Sequence, residues 1–448
     1  MLLDDVLAAR LQMAISLGFH IIFAAVGIGL PVLVVVAEWL WLRTRNAVYL
    51  TLAKRWSKGM AILFAVGAVS GTVLSFELGL LFPKFMEHAG PVIGMPFSLE
   101  GFAFFTEAIF LGIYLYGWDK ISPKAHIFSG ILVAISGMLS GVFVVIANAW
   151  MNSPTGFEVV DGQFINIDPI KAMLNPMAFT HCLHMTLAAY AATGFLVAGI
   201  HAYMLLRNKN NIFHRKALGI ALAVGGTTSL LMPISGDLSA KAVAKHQPIK
   251  LAAMEAQFTT VKSAPLRIGG IVDEEKEEIR YSIEIPYLLS FLAYGDPNAE
   301  VKGLNEFSKE NRPPVGIVRY SFQIMVLLGI AMMLTSIWAG ILFWKNWKLP
   351  DNRWFLRTLV ILAPAGIIAI EAGWIVTEVG RQPWIIYGVM KTAEAVTPMP
   401  HLVVPFLLFC ILYVFLLMVV LWLIYKEVSN SPNTEERELK GGEVVNVT

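Results

Sequence analysis

The chain has 448 residues, of which 56% are hydrophobic and 15% charged, and its mean hydropathy is +0.65. A soluble domain averages roughly 45–50% apolar and 25% charged residues, so most of this chain is expected to lie in lipid. The formal net charge of +2 gives no indication of a nucleic-acid partner. Cys182 and Cys410 lie within apolar runs and form neither a disulfide framework nor a zinc motif. The acidic start of the chain lacks the basic residues of a secretory signal peptide.

Nine segments are apolar and long enough to cross a bilayer, which takes about 20 residues as a helix. In chain order they lie near 11–42, 59–83, 97–118, 127–150, 177–206, 217–236, 319–344, 354–379 and 401–425. The sequence therefore predicts an all-α polytopic membrane protein with about nine transmembrane helices. Its expected parts are helices 1–6 in 1–236, a long loop in 237–318, helices 7–9 in 319–425, and a tail in 426–448.

The orientation follows from the lysines and arginines of the short connections, which favour the cytoplasmic side. One set of connections, with the tail, carries eighteen of them: Arg43, Arg45, Lys54, Arg55, Lys58, Lys120, Lys124, Arg207, Lys209, Arg215, Lys216, Lys345, Lys348, Arg353, Arg357, Lys426, Arg437 and Lys440. The opposite short loops carry four: Lys84, Lys171, Arg381 and Lys391. We therefore predict that the N-terminus lies outside and the C-terminus in the cytoplasm.

The long loop, 237–318, then faces the outside. It is polar and mixed in charge, and residues 273–278 are acidic except for one lysine. A loop of this length in a compact protein is usually functional. The alternative is a solvated surface insert.

Eight ionisable residues fall within the predicted spans, where a charge costs about 2.5–3.5 kcal/mol on insertion scales. They are His20, Glu77, Glu100, Glu107, His181, His184, Glu371 and Glu378. Nearly all are expected in the outer half of the membrane. Scattered structural groups would not favour one side, so this placement indicates a shared site near the outer surface.

The spacing of these residues groups them on helix faces. Glu100 and Glu107 are seven residues apart, close to two turns, and Glu371, Trp374 and Glu378 share a face in the same way. Histidines and carboxylates that converge from several helices suit haem or metal ligation. Carboxylates that line an interior also suit a proton path.

Each residue also has a purely structural interpretation. A single intramembrane histidine such as His20 is often a hydrogen-bonded packing residue. Met325 is one of nineteen methionines. Glu378 has Arg381 within reach as an ion-pair partner, and a protonated Glu107 would bond to a neighbouring helix.

Several stretches resemble the large subunit of cytochrome bd-type quinol oxidases. The longest, 373–384, ends a helix with Trp-x-x-x-Glu and continues as Gly-Arg-Gln-Pro-Trp. The others are Lys-Leu-Ala-Ala-Met-Glu at 250–255, Glu-Gly-Phe-Ala-Phe-Phe-Thr-Glu at 100–107 with Gly-Trp-Asp at 117–119, Asn-Pro at 175–176 nine residues before His184, and Phe-Gln-Ile-Met at 322–325. Together they cover nearly the whole chain.

The resemblance implies a multi-pass subunit of a terminal respiratory oxidase in the bacterial cytoplasmic membrane. Such an enzyme oxidises quinol at the outer face and reduces dioxygen to water, and it builds a proton gradient by vectorial chemistry without pumping. The implied cofactors are a low-spin haem b, a high-spin haem b, and a haem d or third haem b. The implied partners are a second large membrane subunit and small single-helix subunits, with quinol and dioxygen as substrates.

The resemblance also implies ligands. His184 and Met325 look like the axial ligands of the low-spin haem, as suits an electron relay. His181 shares the His184 face, so spacing alone leaves both open, and the family pattern selects His184. His20 and Glu378 are each expected to hold one of the other two irons, with Glu100 close by.

The long loop resembles the family's quinol loop, in which Lys250 and Glu255 match the quinol-binding residues. Quinol oxidation releases two protons, so a carboxylate acceptor such as Glu255 is chemically apt. At about 80 residues the loop is like that of the shorter-loop members. Gln323 departs from members that carry arginine there.

The resemblance places further residues in the catalytic machinery. Asp119, Ser140 and Glu107 resemble a proton path from the cytoplasm, which Glu100 would continue. Trp374 and Arg381 belong to the catalytic centre.

Two other classes of protein would also place ionisable residues in helices. A secondary transporter should show inverted repeats and broken helices at the midplane, and the sequence shows no such pairing. A b-type cytochrome subunit of a dehydrogenase would prefer paired histidine ligands and lacks the Gly-Arg-Gln-Pro-Trp run.

Overall fold

The computed structural model describes residues 4–430, so Arg437 and Lys440, counted above for the tail, lie outside the described residues. The helices are α1 (Asp5–Thr44), α2 (Ala47–Leu81), α3 (Pro83–Tyr116), α4 (Pro123–Asn152), α5 (Pro169–Met173), α6 (Ala178–Arg207), α7 (Ile212–His246), α8 (Pro248–Glu255), α9 (Leu288–Tyr294), α10 (Val315–Asn346), α11 (Arg353–Ile361), α12 (Ala365–Val379), α13 (Thr392–Ala395) and α14 (Val403–Ser429). Short strands form four antiparallel pairs: β1 (Glu158–Val160) with β2 (Gln163–Ile165), β3 (Val261–Lys262) with β6 (Glu300–Val301), β4 (Leu266–Asp273) with β5 (Glu278–Ile285), and β7 (Trp384–Ile386) with β8 (Met390–Lys391).

Within residues 4–430, nine helical segments are long and apolar enough to cross a membrane, with α11 and α12 counted as one. The predicted all-α fold with nine spans is confirmed. Successive spans connect at alternate ends of the bundle. We call the end with the α1–α2, α3–α4, α6–α7 and α10–α11 connections the basic end. The opposite end, with residues 247–314, is the loop end.

Helix α1 lies at the centre of the bundle and packs against α2, α4, α6 and α14. Its buried face includes Leu33 and Ala37, which belong to a large apolar cluster toward the basic end. At the periphery, α14 buries only Tyr413 and Val420 among its described residues. Peripheral side chains such as Phe102 and Trp422 are exposed, as expected where lipid is the solvent.

The sixth span is longer than predicted. Helix α7 continues to His246, ten residues beyond the expected end at 236, because its polar last turns keep their helical hydrogen bonds after the apolar run stops. The connection to the seventh span therefore starts at 247 rather than 237. It ends before Val315, where α10 begins directly after Pro313 and Pro314.

The third span is also longer, and this changes the depth of its carboxylates. Helix α3 begins at Pro83 rather than near 97, and Pro91 and Pro96 lie inside it. Membrane helices tolerate internal proline because neighbouring helices satisfy the freed backbone groups. Glu100 consequently lies at the middle of α3 rather than near its outer end.

Residues 247–314 fold as a small cap on the loop end. Helix α8 packs against α7 and α10, and the β4–β5 hairpin lies beside α10. Arg319 of α10 is fully buried and joins these parts, since its guanidinium donates to the carbonyls of Arg267 and Gly269, each at 2.9 Å. The loop is therefore anchored to the bundle by a buried charge.

Candidate functional site

The ring of His184 on α6 is held by a serine of the neighbouring helix. Its Nδ1 lies 3.0 Å from the Ser235 hydroxyl oxygen, and that hydroxyl donates to the Met232 carbonyl at 3.0 Å. With its proton committed, the hydroxyl accepts from Nδ1–H. The lone pair of His184 is therefore on Nε2, the arrangement typical of metal-ligating histidines.

His20 on α1 repeats this arrangement. Its Nδ1 lies 3.0 Å from the Ser70 hydroxyl oxygen of α2. The Ser70 hydroxyl donates to the carbonyls of Val66 and Gly67, at 2.9 and 3.2 Å. Nε2 of His20 is therefore also the unprotonated nitrogen.

Glycines adjoin the candidate ligands. A Cβ added at Gly71 would lie 3.0 Å from Cε1 of His20, and one at Gly373 would lie 3.0 Å from Sδ of Met325. A Cβ at Gly236 would lie 3.7 Å from Cε1 of His184. Larger side chains at Gly71 and Gly373 would press on these groups, so both positions keep the approach to them open.

Glu378 is bonded at both carboxylate oxygens. Asn148 of α4 donates to Oε1 at 2.5 Å, and Arg381 donates to Oε2 at 2.5 Å. The ion pair weighed above as the structural alternative is thus present. Each oxygen has a second lone pair, so these bonds orient the carboxylate without excluding a further ligand.

Lys250 reaches the same network from α8. Its ammonium donates to Asn152 Oδ1 at 2.6 Å and to the Thr377 carbonyl at 3.1 Å. Asn152 in turn donates to Asn148 Oδ1 at 3.2 Å, so a continuous chain of hydrogen bonds runs from Lys250 to Glu378. Burial and the nearby Arg381 hold the pKa of Lys250 well below its usual value, while Glu378 opposes them.

Glu255 lies at the other end of α8, 5% exposed. Its Oε2 is 3.7 Å from Nη1 of Arg319. Burial raises the pKa of Glu255 to about 7, although Arg319 and Arg267 lower it. A carboxyl with a pKa near neutrality can both accept and release a proton at physiological pH.

The structure does not bring Lys250 and Glu255 to one point. Five residues apart on a helix, they project about 140° from each other. Lys250 faces α4 and α12, whereas Glu255 faces α10. They contact different surroundings on either side of α8.

Some of the predicted proton-path residues contact each other in the structure. The Ser140 hydroxyl of α4 donates to Glu100 Oε1 at 3.0 Å. Glu107 is 8% exposed and faces Gly137, where an added Cβ would lie 3.0 Å from Oε1. Ser140 therefore pairs with Glu100 rather than with Glu107.

Asp119 is at the surface of the basic end. It has a positive φ of 62° in the turn after α3, its side chain is 92% exposed, and Lys54 lies 3.8 Å away. It is distant in the chain from Glu107 by more than three helical turns. Trp374 is half-buried on α12, and the neighbouring Glu371 faces Gly18 of α1, where an added Cβ would lie 3.2 Å from Oε2.

The residues that orient these groups were missed in the sequence. Ser70, Ser235, Asn148, Asn152 and Arg319 each bond to a predicted site residue. Serine and asparagine are ordinary in membrane helices, so only Arg319, a charge near the start of a span, carried a signal.

Within residues 4–430, no group of three or more histidine, cysteine or acidic side chains could hold a metal ion by itself. The candidate ligands instead occur singly or in pairs. One or two protein ligands suit an iron whose other bonds come from a porphyrin. The chain thus combines a helical membrane bundle with such histidines, buried carboxylates and a folded loop that forms a cap. This combination is typical of haem-binding membrane redox proteins.

Comparisons with known proteins show which family this is. Residues 8–432 match the family described as cytochrome bd terminal oxidase subunit I. The bd oxidase structure from Geobacillus thermodenitrificans is 41% identical with a TM-score of 0.90, over 96% of this chain and 99% of that one. The chain therefore belongs to the cytochrome bd terminal oxidase subunit I family.

Two curated relatives come from Bacillus subtilis (strain 168). One, provisionally named a cytochrome bd menaquinol oxidase subunit I, is 39% identical over 92% of this chain and 94% of its own length. The other, cytochrome bd ubiquinol oxidase subunit 1, is 33% identical over 88% of this chain and 87% of its own. The chain is a quinol oxidase subunit and a multi-pass protein of the bacterial inner membrane. It carries haem and works with subunit II.

Proposed function

We propose that this subunit oxidises quinol at the loop end and reduces dioxygen to water between its helices with three haems. The observation that carries the proposal is the pair His20 and His184, each held by a serine so that Nε2 is free. When bound, haem supplies reversible one-electron chemistry and an iron that binds oxygen. We assign no geometry to the haems themselves.

The relay site is proposed to be formed by His184 and Met325, which would hold a low-spin haem b that relays electrons when bound. Ser235 supports His184 over His181 because it sets the tautomer that a ligand needs. Gly373 supports Met325, because a side chain there would crowd the sulfur.

The oxygen site is proposed to use His20 for one iron and Glu378 for the other, with Glu100 nearby. These haems are a high-spin haem b and a haem d or third haem b. Asn148 and Arg381 orient the Glu378 carboxylate, and Lys250 joins the same network through Asn152. Trp374 lies one turn away on the helix of Glu378.

At the loop end, Glu255 is proposed to accept a proton when quinol is oxidised, and the charge of Arg319 stabilises its ionised form. Lys250 is proposed to act in quinol binding from the other side of α8. Protons for oxygen reduction are proposed to come from the cytoplasm at the basic end, from Asp119 through Glu107 to Ser140 and Glu100. Release at one face and uptake at the other would build a proton gradient without pumping.

The test is the reduced-minus-oxidised visible spectrum and haem content of the purified complex with its second subunit. Three haems per complex are expected for the wild type. His20→Ala and Glu378→Ala should each alter a high-spin signal and leave the low-spin signal intact, because their side chains hold different irons. His201→Gln, which changes a buried histidine elsewhere, is the control. High-spin signals that are unchanged in both variants would leave only packing roles for these residues.

A further inference from the structure

Three buried polar side chains meet near the basic end of the bundle, outside the site described above. They are Glu38 of α1, Tyr114 of α3 and His126 of α4, exposed by 0%, 0% and 3%. The Tyr114 hydroxyl donates to Glu38 Oε2 at 2.7 Å, and Nδ1 of His126 lies 2.8 Å from Glu38 Oε1. We call these residues the inner triad.

The hydrogen bonds of the inner triad define its proton content. Nε2 of His126 lies 2.9 Å from the carbonyl oxygen of Tyr114, which only accepts, so Nε2 carries a hydrogen. One further hydrogen lies between Nδ1 and Glu38 Oε1, bonded to either atom. His126 and Glu38 therefore share one proton that can move between them, and the pair is neutral overall in both forms.

The inner triad continues the seam between α3 and α4 that holds the carboxylates. Tyr114 follows Glu107 by seven residues, as Glu107 follows Glu100, so the three share a face of α3. On α4, Gly137 faces Glu107, and Gly130 faces Tyr114, where an added Cβ would lie 2.8 Å from Cε2. The seam thus runs from Ser140 and Glu100 down to the inner triad.

A short path leads from the inner triad to the surface. The Trp118 ring packs on the His126 ring with centroids 3.9 Å apart. Nζ of Lys54 lies over the same Trp118 ring, 5.3 Å from its centroid. Lys54 also pairs with the exposed Asp119. One aromatic ring therefore separates His126 from the charged surface where protons were predicted to enter.

Toward Glu107 the seam is apolar for one layer. Leu111 and Val133 are buried between the two polar levels, and Tyr114 is about 10 Å along the helix from Glu107. A proton crosses such a layer only with water or with side-chain movement. The inner triad is thus suited to hold a proton before that crossing.

We propose that Glu38, Tyr114 and His126 are a proton-loading station between the surface at Asp119 and Glu107. The proposal rests on the proposed function, in which Glu107 carries protons to the oxygen site. A buried ion pair is rarely the most stable way to fill a core, because well-packed apolar residues of similar volume often do as well or better. A buried pair that shares one proton, on the seam between the surface and Glu107, is suited to proton transfer.

The test uses the complete complex with its second subunit, reduced and then mixed with oxygen in a single turnover while a pH-indicator dye follows proton uptake. Glu38→Gln keeps the volume, and its amide can donate to Nδ1 of a neutral His126 and accept from the Tyr114 hydroxyl, but it removes the shared proton. Uptake should slow by at least about tenfold at unchanged haem content. His201→Gln, a buried histidine that bonds to His214 and Trp56 away from this seam, should leave uptake unchanged.

Normal uptake in Glu38→Gln would overturn the proposal, because a structural tie between helices survives that change. If Glu38→Gln fails to assemble, Tyr114→Phe removes one hydroxyl only. It should slow uptake by about threefold, and normal uptake would again overturn the proposal. Glu107→Gln distinguishes failure of the loading station from failure of the whole proton path. If proton uptake is slow in Glu107→Gln but normal in Glu38→Gln, only the loading station is refuted. If proton uptake is normal in both variants, the whole path is refuted.

Discussion

At the scale of single residues, hydrogen bonds decide what an intramembrane side chain can do. His181 and His184 are three residues apart on one face of α6, and no pattern in the sequence separates them. Ser235 distinguishes them, because it accepts the Nδ1–H of His184 and leaves the lone pair of Nε2 available to a metal. The same device at Ser70 and His20 supports an assignment that residue type alone left open.

The first prediction concerns these two histidines. His184→Ala should abolish the low-spin haem b signal and quinol oxidation, because His184 is proposed to hold the relay haem together with Met325. His181→Ala is the matched control and should keep the low-spin spectrum. Reduced-minus-oxidised spectra of both variants measure this. The assignment is wrong if His184→Ala retains the signal and His181→Ala loses it.

The second prediction concerns Glu255. Its pKa is raised from 4.5 to about 7, so the carboxyl becomes protonated, and unable to accept a proton, as pH falls through about 7. Quinol oxidation should therefore slow as pH is lowered from about 8 to about 6, which gives the pH profile an acid limb. Glu255→Gln should be slow at every pH and show no such limb. Steady-state rates against pH measure this. Glu300→Gln, at an exposed loop carboxylate, should behave as the wild type.

A pH profile without the limb in the wild type would contradict the role of Glu255 as acceptor. The expected limb depends on Arg319 and Arg267, the two charges that lower this pKa.

At the scale of elements, apolar runs predicted the existence of the helices well and their ends poorly. Helix α7 continues past its apolar run to His246, and α3 continues through two prolines. A hydropathy window measures the part of a helix that lies in lipid, whereas backbone hydrogen bonds decide where the helix stops. The position of Glu100 in α3 changed for this reason.

The third prediction tests how the loop is held. Arg319→Leu should make residues 256–314 at least about tenfold more sensitive to added protease, a change of about 1.4 kcal/mol in local opening. The reason is that the guanidinium bonds three loop carbonyls and Glu255 from a fully buried position. Cleavage rates measured by gel and mass spectrometry provide the readout.

Arg280→Leu is the control for this prediction, because Arg280 lies at the surface of the β4–β5 hairpin and pairs with exposed Glu278 and half-buried Asp273. Surface pairs contribute little, so its cleavage should match the wild type. Equal cleavage in Arg319→Leu and Arg280→Leu would show that the buried arginine does not anchor the loop.

At the scale of the whole molecule, charge and polarity divide the bundle into two ends. The basic end carries the short connections, and the loop end carries the cap formed by 247–314. From the positive-inside rule we expect the cap to lie outside and the inner triad toward the cytoplasm. In this predicted orientation, the proposed quinol oxidation and the proposed proton uptake would face opposite sides of the membrane.

The fourth prediction tests that orientation. In a background with Cys182 and Cys410 changed to alanine, Tyr281→Cys places a thiol on the exposed hairpin, and Lys120→Cys places one in the exposed α3–α4 turn. A membrane-impermeant maleimide added to intact spheroplasts should label the first and not the second. Permeabilised cells should show both labelled. The reverse pattern would invert the predicted topology.

Composition, hydropathy and motif spacing were sufficient to predict the class of the chain, its nine spans and the residues that resemble the family. Hydropathy and motif spacing are local properties of the chain, so they can be recognised without knowing which distant residues are in contact. The packing of the helices was needed to show that Ser140 pairs with Glu100, that Lys250 and Glu255 face opposite sides of α8, and that Glu38, Tyr114 and His126 meet. Those contacts join residues 40 to 127 positions apart, and their geometry depends on how helices pack, which no local pattern specifies.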